Sequence, residues 1–446
     1  MSIRRLETLR RQFPDIAPSV ILKTDLLREG IRFTPVLNEI GRWCIPHFVM
    51  WNPEHDFDVR ANGQLPEDWI MTPWNVRLAD GTTVKTKFWN PDAPYEIQRI
   101  GERYVLLREG EEVEEVFFHR RPDWYFGRTT DNTVHAAVMQ LWAPECWYSI
   151  SLRYCQYSKT GDQCRFCCLM PSEDGAEGGK LAGLGYEVSL TPDNLAETFR
   201  AGGLAGKIRH FAITGGAILN NTKEIDRMAR LFRRLSKERE ELGLDTMFWA
   251  NPSGLEAHEL QTLKDSGVDG VTINLEVWDP KLWPVIVPGK HKFFGRERYL
   301  ESMKRAVSCF GPWRVSSFFV VGVERVEPDG FATDDAAIAS VLEGVDWCVE
   351  HQVMPATTMW LPAPGSPWAD KPAPPTEYFL KVGRAIHELM DRRGAHKAAV
   401  PGQSSMCQEC QDCSIHIDHY YAEQPRTQRG VPASAWRGTE APALRL

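Results

Sequence analysis

From residue 147 onward, short apolar runs alternate with longer amphipathic stretches, and this alternation constrains the fold more than any other feature of the chain. The runs are "WYSISLRY" (147–154), "IRHFAIT" (208–214), "DTMFWA" (245–250), "VDGVTINLE" (268–276), "WRVSSFFVVG" (313–322) and "VMPATTMWL" (353–361). Their length and their β-branched and aromatic content suit buried strands. A first helix is expected at "TPDNLAETF", with Thr191 as cap and Pro192 at the first helical position. Further helices are expected over about 222–242, 255–266, 294–310, 333–351 and 376–393. Six strand–helix units in succession call for a parallel sheet with right-handed crossovers, either a barrel or a doubly wound sheet. Six units are too few to close an eight-stranded barrel. An open, partial (βα)6 barrel over residues 147–395 is the economical arrangement.

Residues 1–146 read differently. Two short helices come first, the second being "SVILKTDLLREG" with Gly30 as its stop. Short β-rich runs follow, among them "TTVKTKFW" and "RYVLLREGEEVEEVFFHR", the latter a hairpin turning at "EGEE". This is an N-terminal α+β domain. Residues 396–446 form a C-terminal segment holding "CQECQDCSIHIDHY", and a tail from about 423 rich in Pro, Ala, Arg and Gln is expected to be poorly ordered.

Composition bears on where the chain works and on what it meets. No run of about 18 apolar residues exists, so no membrane span is expected. The start "MSIRRLETLRRQF" has charge but no apolar stretch behind it, so no secretory signal is read and the expected compartment is the cytoplasm. There, clustered cysteines bind metal or do chemistry more often than they form disulfides, which matters for a chain with eleven of them. A net charge of −8 gives no reason to expect a nucleic-acid partner. The most basic stretch, "RMARLFRRLSKERE", has the pattern of a solvated helix face. The sixteen tryptophans suit a substrate pocket or plain packing equally; Trp249, Trp278 and Trp360 lie near strand ends.

Four cysteines crowd into "RYCQYSKTGDQCRFCCLM" (153–170), directly after the first barrel strand. In parallel α/β folds the ends where strands finish carry the active site. A loop from 155 to about 190 is long enough to be functional. Cys155, Cys164 and Cys167 are spaced C-x8-C-x2-C, with Cys168 next. Three thiolates hold three irons of a 4Fe–4S cube and leave the fourth iron open, whereas an electron-transfer cluster normally has four cysteines. Zinc and ordinary core packing are the competing readings.

This pattern resembles the radical S-adenosylmethionine (radical SAM) superfamily, whose members have a partial (βα)6 barrel with three cluster-ligating cysteines after its first strand. Most members use C-x3-C-x2-C, so the eight-residue gap marks a variant; the "CRFC" half matches the usual pattern. The x2 spacing favours Cys167 over Cys168 as ligand. "ITGGA", ending the second strand, is similar to the glycine motif that contacts the methionine amino group of SAM, which implies roles for Thr214, Gly215 and Gly216. Ala217 stands where the family often has an acidic residue. Glu276 in "NLEVWDP" is similar to the family's residue that reaches the SAM ribose or carboxylate. Gly322 in "SSFFVVGVE" resembles the late glycine that lets adenine approach. Asn251 and the loop "PAPGSP" (362–367) also belong to the mouth, where ordinary turn chemistry accounts for them as well. The narrower resemblance, over most of 20–415, is to a radical SAM group encoded beside nitrilase genes. That group has a widened cysteine gap, a segment like "VWDPKLWPVIVPGK" and a C-terminal C-x2-C-x2-C.

Here that triplet is Cys407, Cys410 and Cys413, followed by His416 and His419. A second iron–sulfur cluster is the preferred reading, with a zinc site through three cysteines and a histidine as the alternative. A fourth ligand is open among His416, Cys44, Cys146 and a substrate. Cys309 and Cys348 sit on apolar helix faces and are read as core. The resemblance implies a 4Fe–4S cluster, SAM, a small-molecule substrate and a low-potential electron donor such as flavodoxin or ferredoxin. It further implies cleavage of SAM to a 5′-deoxyadenosyl radical that abstracts hydrogen. Aminocarboxypropyl transfer, and a zinc or iron–sulfur protein without catalysis, are the alternatives.

Overall fold

The computed structural model describes residues 2–46, 72–87, 90–169, 190–363, 365–398 and 406–423. The tail beyond 423, much of the loop after Cys168 and residue 364 of "PAPGSP" lie outside that set.

The chain opens with α1 (Ser2–Gln12), α2 (Pro18–Glu29) and α3 (Pro35–Gly41). Gly30 ends α2 at φ 80°, and its N–H donates to the Leu26 carbonyl, so the expected stop is a left-handed cap that favours glycine. A two-stranded antiparallel ribbon follows, β1 (Asn75–Arg77) with β2 (Thr83–Lys85). A three-stranded antiparallel sheet comes next, β3 (Tyr95–Ile100), β4 (Arg103–Arg108) and β5 (Glu111–Val116). The hairpin turns at Glu109 and Gly110, both at positive φ.

Seven strands make the central sheet: β6 (Gln140–Ala143), β7 (Cys146–Ile150), β8 (His210–Thr214), β9 (Met247–Ala250), β10 (Gly270–Thr272), β11 (Val315–Val321) and β12 (Met354–Met359). Their spatial order is sequential, β12 to β6, and β7 to β12 are all parallel. The six expected strands are therefore joined by a seventh, β6, which pairs antiparallel with β7. The fold is a curled half-barrel with a strand-rich N-terminal region and a cysteine-rich C-terminal segment.

Crossover helices fall where helical spacing expected them: α4 (Pro192–Ala205), α5 (Asn221–Glu241), α6 (Ala257–Asp265), α7 (Arg296–Phe310), α8 (Asp334–Glu350) and α9 (Thr376–Arg392). Side-chain caps fix several starts. Thr191, Asn220 and Thr333 accept from the backbone N–H three residues on, and Glu256 forms a capping box with Glu259. The basic stretch lies on α5, whose Ile225, Met228, Phe232 and Leu235 are buried while Arg230 and Arg233 face solvent. Cys348 is buried on α8, whereas Cys309 on α7 is only half-buried. One continuous apolar core runs from α2 and the β3–β5 sheet through the barrel. Asp25 of α2 ties the two parts, accepting from Tyr95 Oη at 2.6 Å and Thr376 Oγ1 at 2.8 Å. Among the described residues no helix is long and apolar enough to cross a membrane.

Candidate functional site

The ladder of β7 stops at Ile150, four residues short of the apolar run that predicted it, because the backbone beyond it turns to the end of β8. Ser151 N donates to Thr214 O at 2.7 Å, and Gly216 N donates to Leu152 O at 2.9 Å. This brings "ITGG" against the cysteine loop. A Cβ on Gly216 would lie 1.8 Å from Tyr154 O and 2.7 Å from Cys155 Cα; one on Gly215, at φ 157°, would lie 2.8 Å from Ser151 Oγ. Both glycines are thus needed for close backbone approach beside the first cysteine.

Cys155 precedes a single helical turn, Gln156–Lys159. Burial pushes its thiol up, and the backbone at Tyr157 and Ala217 pulls it back. Cys164 is pushed up to about 12 by burial, against the pull of Lys290. Cys167 lies well above its ordinary value through burial and then through its neighbours Cys164, Cys168 and Cys155. The three thiols therefore lie near one another, on residues that are each half-buried. Burial favours their protonated form, and a bound cationic metal would reverse that balance.

The widened gap is clamped by the segment 277–290. Arg165 N donates to Ile286 O at 2.9 Å and Gly289 N to Asp162 O at 2.9 Å. Arg165 Nε reaches Val285 O at 3.3 Å, and Tyr157 stacks on Phe293 at 5.8 Å. The long cysteine gap and the "VWDPKLWPVIVPGK" segment are thus two halves of one packing unit. Sequence reasoning singled out both without joining them.

Glu276 ends β10's extension at φ 72°, bridged to Phe319 of β11. The β10 ladder itself covers only Gly270–Thr272, because Asn274 to Glu276 leave the regular pleat. Glu276 is not free: Lys290 Nζ lies 2.7 Å from its Oε1 and 2.6 Å from Asn274 O. Burial alone would drain charge from Lys290, but Glu276 and the Cys164 thiol hold its pKa raised. Lys290 went unrecognised in the sequence, although it closes the segment that was singled out. Glu224, at the start of α5, was missed too. Its Oε1 accepts from Ser253 N at 3.2 Å, and burial pushes the carboxyl up to about 7.

The other mouth residues are placed as follows. Asn251 N donates to Ile213 O at 3.0 Å, continuing the sheet. Gly322 adopts φ 111°, and its N–H donates to the buried Glu324 carboxylate at 2.9 Å. Trp249 and Trp360 are core side chains, at 1% and 2% exposure. Trp278 packs outside the sheet against α8, 5.9 Å from Trp347.

The second cysteine group docks on several elements at once. Cys407–Cys410 is one helical turn. Asp412 O accepts from Lys85 N at 2.8 Å, and its carboxylate accepts from Trp74 Nε1 at 2.8 Å. Lys23 of α2 pairs with Asp418 and donates to Gln411 O. On the opposite side His416 Nδ1 meets Thr357 Oγ1 of β12 at 2.9 Å. Burial lowers the pKa of Lys87 to about 8, with Lys85 acting the same way, while Cys413, Asp412 and Cys168 act to raise it.

The loop after the first parallel strand of this half-barrel thus carries three half-buried cysteines, Cys155, Cys164 and Cys167. Residues 151–329 match the model of the radical SAM superfamily, a superfamily of enzymes. It is similar to the bacteriochlorophyllide c C-7(1)-hydroxylase of Chlorobaculum limnaeum, 25% identical over 333 residues that cover 72% of this chain and 78% of the relative. Among solved structures, it is similar to methylornithine synthase (15% identity, TM-score 0.38, covering 58% of this chain and 69% of that one). It is also similar to a radical SAM methyltransferase from Sphaerobacter thermophilus (14% identity, TM-score 0.38, covering 69% and 76%).

Proposed function

We propose that Cys155, Cys164 and Cys167 hold a 4Fe–4S cluster whose open iron takes SAM, and that the chain activates a C–H bond of a small-molecule substrate. The observation that carries this reading is the clamped loop that sets Cys155 and the C-x2-C pair Cys164 and Cys167 beside a glycine strip with no room for side chains. Bound together, the cluster and SAM supply one-electron cleavage of a sulfonium C–S bond and a 5′-deoxyadenosyl radical able to take hydrogen from a substrate. The chain's own part is placement. The 277–290 segment holds the cysteine loop, and Gly215 and Gly216 let the end of β8 lie against it. Buried Lys290 puts a positive charge beside Cys164, which favours a thiolate there. Thr214, Asn251 and Gly322 line the same strand ends and are proposed to contact SAM. Glu276 is proposed to do so through, or in exchange with, Lys290. The low-potential electron donor is proposed to be a flavodoxin or ferredoxin.

Cys407, Cys410 and Cys413 are proposed to hold a second iron–sulfur cluster, on their C-x2-C-x2-C spacing and the docking of their segment beside the barrel. The name of the Chlorobaculum limnaeum relative records hydroxylation of a carbon in a small molecule, which is consistent with C–H activation here. The test is anaerobic reconstitution with iron and sulfide, followed by dithionite and SAM. 5′-Deoxyadenosine is the expected product. Methylthioadenosine would instead indicate aminocarboxypropyl transfer. Neither nucleoside from iron-loaded protein would sink the reading.

A further inference from the structure

We infer that Arg227 of α5 is a positioning residue for the first cysteine site: it ties the two ends of the cysteine loop together beside the glycine strip. The inference rests on the reading of Cys155, Cys164 and Cys167 as a cluster site and adds the residue that fixes their loop to the barrel.

The cysteine loop leaves the sheet at Ser151 and returns at Leu190, next to Thr191, the cap of α4. Closing so long a loop costs entropy, so other bonds must hold its ends together. One is an amide bond, Leu190 N to Ser151 O, at 3.2 Å, the long end of the usual range. Arg227 supplies the others. Its Nη2 donates to Ser151 O at 2.6 Å and to Leu190 O at 3.1 Å. A single guanidinium nitrogen thus bridges the exit and the return. Bonds from a charged donor are stronger than neutral amide bonds, so Arg227 contributes more to this closure than the amide beside it. The Arg227 Nε is buried and has no partner. Leaving a buried donor unpaired is costly, and here it accompanies a head group turned to two carbonyls of the loop.

The same junction carries the glycine strip. Ser151 N donates to Thr214 O at 2.7 Å, and Ser151 Oγ donates to the same carbonyl at 3.1 Å. The exit of the loop, its return, the end of β8 and the Arg227 head group therefore converge on one residue. Cys155 lies four positions beyond, on backbone pinned to the strip by Gly216 N to Leu152 O and Gln156 N to Ala217 O. With so little slack between them, displacement at Ser151 passes to Cys155. A helix is a rigid anchor for such a tie. Next to Arg227 on α5, Met228 is buried in the core, while Arg230 faces solvent.

The test uses the full chain with Cys407, Cys410 and Cys413 changed to alanine, reconstituted anaerobically so that iron reports the first site. Arg227→Met keeps an apolar stem and removes the donors. It should lose most of the bound iron and change the EPR spectrum of the dithionite-reduced cluster. Arg227→Lys, which restores a charged donor, should recover much of both. Arg230→Met should behave as the parent. Hydrogen exchange on the metal-free chains gives a second reading. The Leu190 amide should exchange about tenfold faster in Arg227→Met, while the amides of α5 beyond Met228 keep their protection. Parental iron, spectrum and Leu190 exchange in Arg227→Met would overturn the inference. So would iron loss that lysine does not relieve, accompanied by faster exchange throughout α5, since Arg227 would then only stabilise its helix. If the parent binds no iron, the cluster reading fails by itself. Leu190 exchange then decides the tie alone, and equal rates in parent and Arg227→Met would refute it.

Discussion

Replacing Gly216 by alanine would place a methyl carbon 1.8 Å from the Tyr154 carbonyl oxygen, 2.4 Å from its carbon and 2.7 Å from Cys155 Cα. The first contact falls about 1.6 Å short of the 3.4 Å at which ordinary van der Waals contact begins. All three neighbours are backbone, so no side chain can swing aside. The strip is pinned by Gly216 N to Leu152 O at 2.9 Å and Gln156 N to Ala217 O at 3.0 Å. Overpacking of this kind costs about 1–3 kcal/mol. The functional cost is larger, because a ligand constellation tolerates displacement of only about 0.5 Å and Cys155 must move further than that. The assay is iron content of the chain with Cys407, Cys410 and Cys413 changed to alanine, so that only the first site reports. Gly216→Ala should lose most of that iron and melt lower. Gly254→Ala is the control, since its methyl would meet Ser302 and Tyr299 at 3.5 Å. Native iron content and melting temperature in Gly216→Ala would refute the claim that the glycine strip positions the first cysteine.

Lys290→Met should leave Glu276 buried without its cation and cost about 3–5 kcal/mol in chemical denaturation, more than Glu276→Gln; equal stabilities would show the pair to be idle. The Glu224 carboxyl, raised by burial to about 7 from 4.5, weakens the fold as pH rises, because the unfolded chain releases that proton first. Glu224→Gln should match the native chain below about pH 4 and exceed it by about 3 kcal/mol above pH 7, and a difference independent of pH would contradict this. His210 has the opposite sign. Burial lowers it to about 3 from 6.5, so the unfolded chain binds the extra proton, and its contribution to stability, full above pH 6.5, is lost as pH falls toward 3. His210→Phe should flatten that acid limb by about 1.4 kcal/mol per pH unit, measured by denaturation across a pH series.

Local pattern was enough to determine the strand and helix order, the caps at Thr191 and the turn at Gly30, because each depends on residues within one turn or one pleat of one another. The crowding of Cys155, Cys164 and Cys167, with the superfamily it signals, was legible for the same reason. Tertiary structure alone decided the rest. β6 joined the sheet as an antiparallel seventh strand. Glu276, read as a residue reaching the cofactor, met Lys290 from fourteen positions away. Such partners are chosen by where the curled sheet brings its two open sides, and spacing along one chain carries no record of which distant side chain will stand opposite.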